Sequence, residues 1–389
     1  MLASPPRCYS PDLQRDLVDV LNEFRGDNID LTTHVTVVAR RRRVLHSACV
    51  ALQKSYFEWH KTPNIEFVGE MAEDYGGPRR EFFRILMSEV QSSLGIFEGK
   101  PGNVLFSYNQ DALQQNKFYT AGKLTAWSIL HNGPGIKCLN HHLFEMMCGR
   151  SQTIDLSTFE LETLHDTDIQ HRLEKILPCK TTAEMLEVKM ELGDWIAECG
   201  IPNIYSASLA DFPAIYQQII THYMYHRVSS MIQQFIAGMN ACGNMWQVVQ
   251  KNWETFAPLF THTSKKLSRN DVRGLFDIKW SLQGSNKRDQ EEDTIFLWEW
   301  WLMSIENNEL DVTLEDLLIF VTGADSVPPL GFPHNCEIQF YDQEPGSQRF
   351  PFSSTCALIL YLPRGITEEA IFKDLMQMSI KGSVGFGKV

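Results

Sequence analysis

Helical periodicity dominates this 389-residue sequence between about residues 118 and 260 and then stops. Apolar residues recur there at three- and four-residue steps, in segments such as 118–130, 183–198 and 212–241. The segment 281–293 contains a single strong hydrophobic residue, and roughly 100 residues of mixed helix and strand patterns follow it. We therefore predict an α+β chain of two unequal parts, a large helical part and a smaller α/β part, joined by a linker at 281–293.

Composition and charge exclude several classes of protein. The net charge of −13 argues against a general nucleic-acid binder, and 43% hydrophobic residues argue against a disordered chain. No apolar run approaches the ~18–20 residues of a membrane span, and no secretory signal follows Met1. The nine cysteines are odd in number and irregularly spaced, so we expect thiols in a reducing, intracellular compartment.

A cytoplasmic location is the main expectation, with a nuclear one as the alternative. The alternative depends on four consecutive arginines at 40–43, which can form a nuclear-import signal or an anion patch. The plainer interpretation of such a run is a solvated face at the edge of a domain.

Metal and nucleotide sites find little support in the sequence. Cys138, His141, His142 and Cys148 lie within eleven residues, but they lack the paired spacing typical of zinc sites. The sequence contains neither a P-loop nor a G-x-G-x-x-G motif. We therefore expect no metal and no cofactor.

Cys356 differs from the other cysteines in its context. It follows the small, hydroxylated residues 353–355 and precedes an apolar strand predicted over 358–362. Such a position can expose the sulfur beside a rigid strand. No His or Asp stands next to it in the sequence, which disfavours the hydrolysis of a stable amide. The absence does not argue against exchange between two thioesters, because the bond that breaks and the bond that forms have nearly equal energies.

Fragments along the chain share the order and spacing of a known family. They are 65–70 followed by Asp74, Gly76, Gly77 and 80–83; Phe118 with Ala121, Gly122 and Leu124; 235–239; 298–301; 320–323 followed by Pro328, Gly331 and Phe332; Thr355-Cys356 followed by Leu360, Leu362 and Pro363; and 385–387. Together they resemble the HECT family of ubiquitin ligases over about residues 35–389.

The resemblance implies a two-lobed α+β fold. Its expected parts are an N-terminal lead with a short helix (1–34), a mainly helical N-lobe (35–280), a flexible hinge (281–293) and an α/β C-lobe (294–389). The part that binds the ubiquitin-conjugating enzyme would lie at roughly 175–220.

The resemblance also implies an activity. Cys356 would accept ubiquitin from a conjugating enzyme as a thioester and pass it to a lysine of a protein substrate. Thr355 would shape the thiolate pocket, or only begin a strand. Phe386 would help place the C-lobe, or only pack as a terminal aromatic. The implied partners are ubiquitin, the conjugating enzyme and the substrate, with no nucleic acid and no membrane span.

The sequence departs from the family pattern at several positions. Ser354 stands where many members have His, Ala357 where many have a bulky residue, and Lys388-Val389 where many have an acidic residue. Residues 175–215 match poorly. The alternative is therefore a HECT-like scaffold that binds ubiquitin or a conjugating enzyme without transfer. An unrelated cysteine hydrolase is disfavoured because no dyad is visible.

Overall fold

The computed structural model describes residues 16–70, 74–151, 154–156, 159–263, 266–343 and 349–383. In chain order its first elements are α1 (Leu17–Asn28), β1 (Asp30–Ala39), α2 (Val44–Leu52), β2 (Lys61–Phe67), α3 (Gly77–Ser93), β3 (Phe97–Lys100), β4 (Asn103–Phe106), α4 (Gln110–Gln114), α5 (Lys117–Leu130), α6 (His141–Met147), α7 (Thr167–Ile176), α8 (Thr182–Glu198), α9 (Phe212–Thr221), α10 (Ser229–Asn240), α11 (Met245–Lys251) and α12 (Trp253–Phe260).

The remaining elements alternate between helix and strand. They are α13 (Arg269–Leu275), β5 (Phe276–Ile278), α14 (Asn286–Glu306), α15 (Leu314–Thr322), β6 (Cys336–Tyr341), β7 (Phe352–Ser354), β8 (Ile359–Pro363) and α16 (Glu369–Ser383). The α+β prediction is confirmed. Within the part of the chain that the structure describes, no helix is long and apolar enough to cross a membrane.

Two separate hydrophobic clusters organise these elements. The N-terminal cluster contains buried residues from Val20 to Phe260, and the C-terminal cluster contains buried residues from Val272 to Ile380. Both consist of apolar side chains withdrawn from water, which is the main favourable contribution to folding.

Helices α5 and α10 cross at the centre of the N-terminal cluster, and two glycines allow their backbones to touch. A Cβ atom on Gly122 would lie 2.0 Å from the carbonyl oxygen of Phe235. One on Gly238 would lie 2.0 Å from the carbonyl oxygen of Tyr119. Larger side chains would therefore separate the two helices.

A four-stranded sheet of order β5-β6-β8-β7 lies in the C-terminal cluster. β6 runs parallel to β5 and β8, and β7 runs antiparallel to β8. Helices α14, α15 and α16 contribute apolar side chains to the same cluster, among them Trp301, Val321 and Phe372. This packing fixes the strands on either side of Cys356.

The structure differs from the predicted linker at 281–293. Residues 286–293 belong to helix α14, and strand β5 before them already pairs in the sheet of the C-terminal cluster. The change of cluster comes earlier in the chain, between Phe260 and Leu267. The segment contains few hydrophobic residues because its buried position is Glu291, whose carboxylate pairs with Arg364.

The structure also differs from the predicted lead at 1–34. The helix predicted there is present as α1, but its Val20 and Leu21 are buried in the N-terminal cluster, and β1 begins at Asp30. The first 15 residues lie outside the described part of the chain.

Candidate active site

Cys356 lies on the four-residue turn, residues 355–358, that joins β7 to β8. The turn closes an antiparallel pair in which Ser354 is opposite Ile359. The Ser353 hydroxyl donates a hydrogen bond to the Phe320 carbonyl oxygen at 2.5 Å, which ties β7 to helix α15. The Cys356 residue is half-buried, and the turn that carries it is held by the paired strands and by α15.

Leu358 ends this turn in a conformation that L-amino acids rarely adopt. Its φ angle is +56°, in the left-handed region, while its side chain is fully buried in the C-terminal cluster. Its carbonyl oxygen accepts a hydrogen bond from the Glu337 N–H at 2.8 Å. Burial and this bond hold the strained residue in place.

The N-terminus of α3 faces the turn from the N-terminal cluster. Gly76 precedes the helix with φ +108°, and the Asp74 carboxylate accepts the N–H of Gly76 at 2.8 Å and of Ile65 at 3.0 Å. A Cβ on Gly77 would lie 2.4 Å from Thr355 Oγ1 and 3.1 Å from Cys356 Sγ. The helix terminus therefore lies directly against Cys356.

Arg80, in the first turn of α3, binds two carbonyl oxygens of the C-terminal part. Its Nε donates to Thr322 at 2.8 Å, and its Nη2 donates to Thr355 at 2.6 Å. Burial and the charge of Arg79 lower the pKa of Arg80, while Cys356 and Asp74 raise it. An arginine pKa lies so far above neutrality that the guanidinium remains charged.

A second group of contacts joins the two parts near residues 132–137. Asn132 Nδ2 donates to the Gly331 carbonyl oxygen at 3.0 Å, and its Oδ1 accepts the Leu330 N–H at 2.8 Å. Lys137 Nζ donates to Ser326 Oγ at 2.8 Å. Together with Arg80 these bonds define how the C-terminal cluster rests on the N-terminal one.

Five of the other described cysteines are buried, whereas Cys49 and Cys179 are partly exposed, as Cys356 is. Burial raises the pKa of the thiols of Cys138, Cys148 and Cys242 to about 12 and of Cys336 to about 11. It also raises the pKa of Cys49, Cys179 and Cys199. Such thiols carry little thiolate, which is the nucleophilic form.

The suggested metal ligands do not come together as a site. Cys138 and Cys148 are buried, and His141 pairs with Glu145 at 3.0 Å. Within the described ranges, no group of three or more His, Cys, Asp or Glu side chains is arranged to hold a metal ion.

The structure brings two of the three predicted site residues together. Thr355 and Cys356 share the turn, whereas Phe386 lies outside the described residues. The contacts of Gly77 and Arg80 were not predicted. Both lie in the Gly-Gly-Pro-Arg-Arg segment. The residue that Arg80 binds in the Cys356 turn is 275 positions later in the sequence, and a single sequence does not reveal that the two are close in space.

Comparison with known proteins identifies the family. The family model described as HECT-domain (ubiquitin-transferase) matches residues 84–389. A G2/M phase-specific E3 ubiquitin-protein ligase of Gallus gallus is 24% identical over 375 residues, which cover 95% of this chain and 48% of that protein.

Two primate proteins of the same name are also similar to this chain. The one from Macaca fascicularis is 25% identical over 316 residues, covering 81% of this chain and 42% of its own length. The one from Homo sapiens is 24% identical over 352 residues, covering 90% and 47%. This chain thus spans about half the length of the curated relatives it matches. Because the family model covers well over half of its residues, this chain belongs to the HECT family of ubiquitin transferases.

Proposed function

We propose that this chain is a HECT-type ubiquitin ligase in which Cys356 accepts ubiquitin from a conjugating enzyme and transfers it to a lysine of a protein substrate. The observation that carries the proposal is the half-buried Cys356 on its four-residue turn, directly against the N-terminus of α3. Among the described residues no two cysteines are joined by a disulfide, which favours action in a reducing, intracellular compartment.

The chemistry requires two acyl transfers. In the first, Cys356 Sγ attacks the thioester carbonyl carbon of the charged conjugating enzyme, and the enzyme's own cysteine leaves. In the second, a lysine amine attacks the new thioester, the bond to Cys356 Sγ breaks, and an amide forms. The first step exchanges one thioester for another, so it needs little driving force.

An exposed apolar patch on α8 supports the proposed partner. We define the α8 patch as Leu186, Met190 and Tyr205, which are 52%, 83% and 56% exposed. Leu186 and Met190 are one helical turn apart, and Tyr205 packs on Gly193 of the same helix. Exposed apolar patches commonly mark protein interfaces. We propose that the conjugating enzyme docks here, within the predicted region 175–220.

The decisive experiment is a thioester trap. The protein is mixed with activating enzyme, a panel of conjugating enzymes and ubiquitin, and adducts are separated with and without a thiol reductant. We expect wild type to form a thiol-sensitive ubiquitin adduct and Cys356→Ala to form none, because the nucleophile is gone.

Cys179→Ala is the matched control. It removes another incompletely buried cysteine of the chain, and we expect it to charge like wild type. Normal charging of Cys356→Ala would show that the cysteine assignment is wrong. Failure of wild type to charge with every conjugating enzyme would favour the non-catalytic scaffold.

A further inference from the structure

The contact with the Cys356 turn, rather than the helix itself, requires glycine at position 77. Gly76 has a positive φ and needs to be glycine for its own backbone, whereas Gly77 has no such requirement. Alanine is a better helix former than glycine, so α3 alone would tolerate it at position 77. The Cys356 turn leaves no room for a side chain at position 77. A Cβ atom there would lie 2.4 Å from Thr355 Oγ1 and 3.1 Å from Cys356 Sγ.

Arg80, three residues after Gly77 on α3, binds the same turn. Its planar guanidinium binds the carbonyl oxygens of Thr322 and Thr355, so one side chain holds both the end of α15 and the residue before Cys356. Arginine presents this fork of donors, and lysine does not. Arg84 adds a third bond, from its Nε to the Gly323 carbonyl oxygen at 3.3 Å.

These contacts place the Cys356 sulfur in a positive electrostatic environment. The N-terminus of α3, a 17-residue helix, carries a partial positive charge, and the Arg80 guanidinium adds a full one. While the two parts of the chain are in this arrangement, negative charge that develops on Sγ during a reaction would meet these positive charges.

Such an environment affects the two acyl transfers differently. When Cys356 attacks the conjugating enzyme's thioester, negative charge moves away from its sulfur, so nearby positive charge does not accelerate that step. When lysine attacks the Cys356 thioester, the C–N bond forms, the C–S bond breaks with its electron pair going to Sγ, and the amine proton goes to water. Negative charge appears on the sulfur in that step, where preorganised positive charge accelerates the reaction.

We propose that Gly77 and Arg80 are positioning residues that hold Cys356 Sγ at the N-terminus of α3 and so speed its departure when lysine attacks. This inference rests on the proposed function, because it requires ubiquitin on Cys356. It means that the two clusters, arranged as they are in this structure, are positioned for the second transfer, in which lysine attacks the Cys356 thioester.

The test separates the two transfers in single-turnover experiments. Charging is followed as formation of the thiol-sensitive adduct, and discharge as its loss to free lysine after charging is stopped. We expect Gly77→Ala and Arg80→Ala to slow discharge by about tenfold or more and to change charging by less than about twofold. The maximal discharge rate should fall, with little change in the lysine concentration that gives half of it.

Two further variants sharpen the result. Gly274→Ala is the matched control, because a Cβ there would meet nothing within 4 Å and its backbone conformation suits any residue. It should leave both steps unchanged. Arg80→Lys keeps the charge but loses the fork, so we expect it to discharge several-fold faster than Arg80→Ala and more slowly than wild type.

Several outcomes would overturn the inference. Discharge of Gly77→Ala and Arg80→Ala at the wild-type rate would refute it, and so would equal slowing of charging and discharge. Faster charging with normal discharge would mark the contact as a resting arrangement instead. A wild type that never charges would refute the proposed function itself, which keeps the two failures distinct.

Discussion

A buried histidine lies within the N-terminal cluster, near the surface where the two parts meet. His131 is 6% exposed, and its Nε2 lies 2.8 Å from the Trp59 carbonyl oxygen, a geometry in which Nε2–H donates. Burial and, to a smaller extent, the charges of Arg79 and Arg25 lower the pKa of His131 to about 4, against the hydrogen bond to Trp59, which raises it. The ring is therefore neutral in the folded protein at neutral pH.

We expect His131 to make stability depend on pH. Its pKa is about 4 when folded and about 6.5 when unfolded, so the unfolded chain binds more protons between these values. The free energy of unfolding should thus fall as pH drops from 6.5 towards 4, by about 2 kcal/mol at pH 5. Urea unfolding of wild type and His131→Gln at pH 7.5 and pH 5 measures this difference.

Other titrating groups contribute equally to both proteins in that comparison. The difference between wild type and His131→Gln therefore isolates the histidine. Identical pH dependence of the two proteins would contradict the assignment of a neutral, buried ring.

Helix α14 shows how an element depends on one buried polar side chain. Its Glu291 is fully buried, and its carboxylate accepts hydrogen bonds from Arg364 Nη2 at 2.7 Å and from Ser281 Oγ at 2.6 Å. Arg364 follows β8, so the pair connects the start of α14 to the strand after the Cys356 turn. A buried charge left without its partner is costly.

We expect Glu291→Ala to destabilise the protein by about 2–4 kcal/mol, because it leaves the nearly buried Arg364 guanidinium with only the exposed Asp342 as counter-charge. Glu292→Ala is the matched control. Glu292 pairs with Arg288 on the exposed side of the same helix, and its loss should cost at most about 1 kcal/mol. Urea unfolding of both variants measures the two costs, and equal costs would contradict the role given to Glu291.

The same helix shows where sequence patterns succeed and where they fail. Periodicity predicts α14 from residue 295 onward, where Trp298 and Trp301 are buried, but not over 286–293, where the buried position is a glutamate. Periodicity also predicts one helix over 212–241, which the structure divides into α9, a π-helical turn at His222–His226, and α10. Apolar spacing continues across such a break, so the pattern alone cannot show it.

The N-terminal and C-terminal clusters contact each other at the proposed site, and this contact is the feature of the fold that is hardest to predict from the sequence. The context of Cys356 and the glycines of the Gly76-Gly77 turn can both be read from the sequence. Their contact cannot, because it depends on how Arg80 and Asn132 bind carbonyl oxygens of the C-terminal part. Local patterns predict elements, whereas contacts between distant elements require the assembled fold.

The α8 patch gives a prediction at this larger scale. Met190→Asp puts a charge at the most exposed apolar position of the patch, so we expect it to slow charging by the conjugating enzyme about tenfold. Discharge of adduct that has already formed should be unchanged, because no conjugating enzyme takes part in it. Single-turnover charging over a range of conjugating-enzyme concentrations measures the effect.

Leu282→Asp is the control for the α8 patch. Leu282 is 86% exposed but lies in the C-terminal part, before α14, so its charged variant should charge normally. Equal loss of charging in both variants would show that the effect does not depend on docking at α8.

The buried leucine two residues after Cys356 has a mechanical consequence. Under the proposed function a whole protein would be attached to the sulfur and would pull on the turn as it tumbles in water, and a flexible glycine loop would absorb that pull by deforming. Leu358 instead anchors the turn in the C-terminal cluster, with its carbonyl bonded to β6. Such a pull would therefore be passed from the turn into the sheet, and the backbone of Cys356 would keep its place beside α3 while the thioester is attached.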